Sequence, residues 1–249
     1  MESALTFATS THCQQCALRS RCLPNHLEPN DVARFDRIVQ RARPLRLGAH
    51  CFTAGEPFRS IYVVRQGAIK TYTMTEEGEE QVTGFYLAGD CFGFDGIHTQ
   101  RHTNSAKALE RTHLCEIPFE QFEHLCADIP HLQHYAFQLA SHQIVLEQKR
   151  MQLMGKRAAE ARLAYLLLEF VQRVHHGFTE GETLLPMTRY DIGNYLGLSV
   201  ETVSRILSRF HADGIIQLHG RRMEIVSVER LRKHALEENH LTLRAQLPC

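Results

Sequence analysis

The chain has no net charge, no apolar run long enough to cross a bilayer, and no internal repeat or low-complexity tract. Lys plus Arg and Asp plus Glu each number 28, so the charge balance points to neither a nucleic acid nor a membrane as partner. Even the part after residue 155 is only slightly basic, and charge alone does not reveal a DNA-binding domain. Without a bilayer-length apolar run, a helical membrane span is excluded. The stretch Met1 to Thr11 has neither a basic start nor an apolar core, so no export signal is expected and the protein is assigned to the cytoplasm. No phosphate loop, nucleophile elbow or His-Glu-x-x-His motif occurs, which leaves an enzyme without a recognisable constellation. What is there suffices for folding: 249 residues, 43% of them hydrophobic, enough for one or two domains with a real core.

Cysteine, by contrast, is plentiful. There are eight, and three of them, Cys13, Cys16 and Cys22, fall within one short stretch followed by Leu23-Pro24. With no export signal, disulfides are not the first expectation, and a compact thiol array in a reducing compartment reads as a set of metal or cluster ligands. Structural zinc normally wants a second close pair. None follows, because Cys51, Cys91, Cys115 and Cys126 are single. Three clustered thiolates and one remote one suit a cubane iron–sulfur cluster, while the spacing by itself leaves zinc open.

Glycine organises the first half. It recurs from Gly48 to Gly96, and between the glycines lie β-type runs at Ser60–Val64, Ala68–Thr73 and Gln81–Tyr86. Short strands with frequent turns predict a barrel or jelly roll, with Glu76–Glu80 as an exposed hairpin turn. Pro118 is expected to open a short helix. Glycine then disappears from about Ile129 to Met154, predicting one long helix that Gly155 closes. Two stripes run along it. Leu139, Leu146 and Leu153 recur every seven residues, and Ala140, Ile144, Glu147, Met151 and Met154 follow a 4-3-4-3 step, as in a coiled-coil seam. One stripe packs on its own domain; the other is expected to meet a second copy in a symmetric dimer. A further helix starts near Ala158, His175 to Glu182 reads as a polar loop, and a small domain of helices and a final hairpin follows.

Thr188, with Asp191 after it, marks a helix start. This helix breaks at Gly197-Leu198-Ser199, where Ser199 can cap a second helix, Val200 to His211. Val200, Val203, Ile206, Leu207 and Phe210 are predicted to form its buried face, leaving Glu201, Ser204, Arg205 and Arg209 on the other. A polar, arginine-bearing second helix after a glycine turn fits a major groove. Ile215–Leu218, the Gly220-Arg221-Arg222 turn and Met223–Val226 then form a hairpin with basic residues at its tip, so the unit reads as a winged helix that binds DNA.

Across Cys13-Gln14-Gln15-Cys16 to Cys22-Leu23-Pro24, Glu80–Phe85, Leu114-Cys115-Glu116-Ile117-Pro118-Phe119, and Asp191–Leu198 running into Val200–Arg205, the sequence resembles the fumarate-and-nitrate-reduction regulator (FNR) branch of the CRP/FNR transcription factors. The resemblance implies an α+β chain in four parts: a cysteine-rich cluster-binding segment, 1–27; an N-terminal β-roll (double-stranded β-helix or jelly-roll) sensor domain, 28–128; a long dimerisation helix, 129–155; and a C-terminal winged helix-turn-helix, 156–249. It implies that Cys13, Cys16, Cys22 and Cys115 ligate an oxygen-labile 4Fe–4S cluster, and that the loaded protein is a homodimer on DNA. Oxygen degrades the cluster and releases the DNA. It further implies that Glu201, Ser204 and Arg205 read a TTGAT half-site within a palindrome, arginine suiting guanine and glutamate accepting from cytosine. Arg209 is a further expected DNA contact, Arg221 and Arg222 are expected at the phosphates, and RNA polymerase is an expected partner of an activator, with Glu76 to Gly84 read either as one contact region or as a solvated turn. Glu147 stands where the family usually has aspartate; facing its symmetry mate, it would weaken a dimer lacking the cluster.

Two alternatives keep the DNA function. A cyclic nucleotide, the effector of the parent CRP fold, is not expected, because Gly89-Asp90-Cys91-Phe92 and Asn104-Ser105-Ala106 lack the arginine that pairs with its phosphate. A thiol redox or zinc site in place of the cluster is the other.

Overall fold

The computed structural model describes residues 12–25, 27–156, 158–175 and 182–236. These fall into two compact units divided between Glu147 and Gln148.

In the first unit, Pro29 occupies the first turn of helix α1 (Pro29–Ile38), where its missing N–H costs nothing. Seven antiparallel strands follow: β1 (His50–Phe52), β2 (Ser60–Gln66), β3 (Ala68–Met74), β4 (Glu80–Leu87), β5 (Cys91–Phe92), β6 (Ser105–Ala108) and β7 (His113–Pro118). They form two sheets, in the order β1-β6-β3-β4 and β5-β2-β7. The Ile61-Tyr62-Val63-Val64 run of β2 is apolar on both faces because each face meets a different core. Tyr62 and Val64 point between the sheets, toward Phe52, Ile69, Phe92, Ala106 and Leu114. Ile61 and Val63 point the other way, toward Phe35 of α1, Phe122 and Leu125 of α2 (Phe119–Asp128), and Leu132.

Leu132 begins the buried stripe of the long helix α3 (Pro130–Lys156), continued by the half-buried Tyr135, Ala136 and Leu139. The helix ends one residue after Gly155, where the sequence places its close.

The second unit holds α4 (Ala159–His175), β8 (Glu182–Leu184), α5 (Arg189–Leu196), α6 (Val200–Ala212), β9 (Ile216–His219), β10 (Arg222–Ile225) and α7 (Val228–Leu236). The hairpin expected from sequence is present as β9 and β10, but β8 pairs with β10 to make a third strand, and α7 follows. Of the expected polar loop, residues 176–181 lie outside the described residues. Among the described residues no helix is long and apolar enough to cross a membrane.

Candidate functional site

Two short 3-10 turns, Cys13–Gln15 and Arg19–Arg21, wind the cysteine segment into a tight path. The N–H of Cys16 donates to the carbonyl of Cys13 at 3.3 Å, and that of Asn25 to Cys22 at 2.9 Å. Buried Leu18, Leu23 and Leu27 pin the segment down. Cys115 comes from β7, opposite Val63 of β2, whose other neighbour is Cys91 on β5. The outcome is one recess lined by Cys13, Cys16, Cys22 and Cys115, with His12, Pro24, Arg19, Arg41 and Arg65 around them.

The thiols are free. Burial pushes Cys22 well above the ordinary thiol range, with Cys91, Cys115 and Cys16 adding to the rise. Burial likewise raises Cys13 and Cys115, the latter opposed by Arg41 and Arg65. As they stand, among the described residues, no three His, Cys, Asp or Glu side chains form a ready metal-ion group. Outside the recess, burial pushes Cys51 up to about 12 and Cys126 up to about 11, as in unreactive structural thiols. Cys249 lies outside the described residues.

One carboxylate missed by the sequence reading organises the recess. Asp36 of α1 accepts the N–H of Cys13 at 2.9 Å and the ring N–H of His12 at 2.8 Å, and it pairs with Arg41. Burial would raise its pKa, but these bonds outweigh burial and hold the carboxyl well below the usual range. No sequence spacing signals this contact, because Asp36 belongs to a different element from the cysteines.

On α3 the second stripe is solvent-facing. Ala140 and Glu147 are exposed, Ile144 is 60% exposed and Met151 73%. Phe137, 67% exposed, extends the same seam by one step; its place seven residues before Ile144 was the available signal. Met154 departs from the stripe: it is half-buried, its sulfur 3.9 Å from an Arg162 nitrogen.

In the second unit the capping box forms as the sequence predicts. The N–H of Asp191 donates to Thr188 Oγ1 at 3.0 Å, and the N–H of Thr188 to Asp191 Oδ2 at 3.0 Å. Helix α5 ends on Gly197, whose φ of 61° is left-handed, a conformation favoured for glycine. The carbonyl of Leu196 accepts from Arg162 at 2.7 Å. Gly193 is required by space: a Cβ there would lie 2.6 Å from the Leu198 carbonyl oxygen. Ser199 caps α6, accepting from the N–H of Thr202 at 3.1 Å.

Val203, Ile206, Leu207 and Phe210 are buried as predicted. Val200, expected with them, is 37% exposed; at the first helical position it lies before the packed turns. Glu201, Arg205 and Arg209 are exposed, and half-buried Ser204 accepts from Arg189 at 3.2 Å. The carboxyl of Glu201 is lowered by its own N–H and the Ser199 hydroxyl, and further by Arg205.

The other arginines have local partners. Arg209 pairs with Glu160 of α4. Arg221 turns back to the carbonyls of Leu185, at 2.9 Å, and Pro186, and Arg222 lies 3.4 Å from Glu182. Arg221 thus ties the wing to the segment after β8 instead of standing out at the tip.

Residues 42–128 match the family model described as a cyclic nucleotide-binding domain, and residues 161–234 the Crp-like helix-turn-helix domain. The chain is 43% identical over 221 residues to electron transport regulator A of Shewanella oneidensis. It is 42% identical over 221 residues to the fumarate and nitrate reduction regulatory protein of Escherichia coli. Each alignment covers 88% of this chain and 88% of its relative. Among solved structures, FixK2 from Bradyrhizobium japonicum is similar, with a TM-score of 0.72 at 29% identity, covering 79% of this chain and 96% of that one.

Proposed function

Because the chain belongs to the fumarate-and-nitrate-reduction branch of the CRP/FNR transcription regulators, we propose that it is an oxygen-responsive regulator whose DNA binding depends on a 4Fe–4S cluster. The observation that carries this reading is the convergence of Cys13, Cys16, Cys22 and Cys115 on one recess. Four thiolates are the donor set a cubane takes, and the four cysteines of the recess match it in number and type. When bound there, the cluster supplies an oxygen-labile centre. Arg19, Arg41 and Arg65 supply positive charge around the thiolates, and the thiols would give up their protons on ligation.

The signal reaches the dimer through one core. Cys13, Cys22 and Leu23 share it with Leu132, Tyr135 and Leu139 of α3, so repacking of the cysteine segment bears directly on that helix. The opposite face of α3, with Ala140, Ile144, Glu147 and Met151 and now Phe137, but without the half-buried Met154, pairs with a second copy. Glu147 meets the same carboxylate of its mate, which keeps the dimer weak unless the ligated core holds α3 in place.

Glu201, Ser204 and Arg205 read each half of a TTGAT-type palindrome. Arg209, Arg221 and Arg222 serve the phosphates; Arg209 and Arg221 exchange their present protein partners to do so. The β-roll interior is filled by Phe52, Tyr62, Tyr86 and Phe92, with Tyr62 and Phe92 stacked at 5.4 Å, which supports a response that uses no cyclic nucleotide. The protein acts as a cytoplasmic activator, with the exposed turn from Glu76 to Glu79 and the start of β4 offered to RNA polymerase.

The test is a binding titration on a TTGAT palindrome, with protein purified without air, before and after exposure to air. Tight binding lost in air is the expected result. Binding unchanged by air contradicts the reading and leaves a zinc site in its place.

A further inference from the structure

The Asp36, Arg41 and Cys13 side chains form a chain of contacts that ends on a sulfur of the recess. Arg41 donates one N–H to Cys13 Sγ at 3.6 Å and another to the Val39 carbonyl at 3.2 Å. It also pairs with Asp36 Oδ1, the same oxygen that accepts the Cys13 N–H. Both side chains are largely shielded, 22% exposed for Arg41 and 16% for Asp36, so solvent screens the pair weakly. Two carboxylate hydrogen bonds therefore fix where the cysteine segment begins, and the same carboxylate aims a guanidinium at the first sulfur.

We propose that Arg41 tunes the reduction potential of the cluster at this recess, through an N–H···S bond to Cys13, and that Asp36 is the residue that positions it. This rests on the cluster reading given above. Hydrogen bonds to the ligating sulfurs and net local charge are among the protein's main levers on such potentials, and partners beyond the ligands orient and tune them. Adding an electron to an already anionic thiolate-bound centre is easier beside a fixed cation, so Arg41 raises the potential. Asp36 carries the opposing charge and moderates that rise while holding the geometry. His12, bonded to the second Asp36 oxygen, completes the carboxylate's contacts on the outer side.

The experiment is a potentiometric titration of full-length protein reconstituted without air, with iron and sulfide measured in each sample. Wild type is compared with Arg41→Gln, Arg41→Lys and Asp36→Asn. All four are expected to hold the same iron and sulfide. Arg41→Gln shifts the potential down, because the positive charge is lost and the shorter amide replaces the guanidinium fork. Asp36→Asn, which keeps an acceptor for Arg41 and the Cys13 N–H while losing the negative charge, shifts it up. Arg41→Lys, keeping the charge without the fork, falls between wild type and Arg41→Gln. Equal potentials in wild type and Arg41→Gln overturn the proposal, as does a downward shift in Asp36→Asn. Failure of the Arg41 variants to take up iron also overturns it, since the pair would then build the site and not tune it. Absence of iron and sulfide from wild type itself is the separate failure of the cluster reading.

Discussion

Arg205 and Arg209 stand one turn apart on the exposed side of α6, and Arg209 is already paired with Glu160. This separates their expected roles. Replacing Arg205 with alanine should cost about 1–3 kcal/mol per half-site and relax preference at one base pair, as loss of a bidentate base contact does. Titration against operators substituted at each half-site position checks this; full discrimination retained at every position would make Arg205 a surface residue. Asp95 tests the β-roll. Burial would raise its carboxyl, but bonds from the His102 ring, at 3.2 Å, and from the N–H groups of Asn104 and Thr103, at 2.9 and 2.7 Å, outweigh burial and lower it. A carboxyl lowered in the folded state stabilises above its unfolded pKa, about 3.9, and that stabilisation is lost as pH falls through the folded value. Asp95→Asn should therefore lower the melting temperature at neutral pH and flatten its fall on acidification below about pH 4. An unchanged acid limb would show that this carboxylate contributes nothing to acid stability.

The elements differ in how far sequence reveals them. The Thr188–Asp191 box, the Gly197 break and the buried face of α6 were legible because each rests on neighbours within one or two helical turns. Strand β8 was not: it is three residues long and exists only through pairing with β10. Val200 was misplaced because periodicity does not show where a helix's packing partners begin. Cys115 joins the other three thiols through the register of β7 on β2, which spacing cannot supply and only resemblance implied. Asp36 and Phe137 were missed, the first for want of any local signal. Two element-level outcomes follow. Gly193→Ala should destabilise the second unit by about 1–3 kcal/mol, the range for overpacking against groups that cannot move, measured by denaturant unfolding; a neutral result would mean that the turn relaxes freely. Glu147→Ala should strengthen the dimer without a cluster by up to about fivefold, since two like charges a few Å apart in water are worth about 1 kcal/mol. Sedimentation in air reads this directly, and a monomer fraction equal to wild type would leave Glu147 outside the seam.

Across the whole molecule, one core joins the cysteine segment to the inner stripe of α3, while the outer stripe is exposed and the helix-turn-helix belongs to the other unit. Under the proposed function, the occupant of the thiol recess is the input on which pairing and DNA binding depend. The most direct measurement is therefore the iron, sulfide and zinc content of protein purified without air, alongside a Cys115→Ser variant and a Cys51→Ser control. The account predicts about four iron and four sulfide per chain, lost in Cys115→Ser and kept in Cys51→Ser. Stoichiometric zinc without iron or sulfide in the wild-type protein would contradict it.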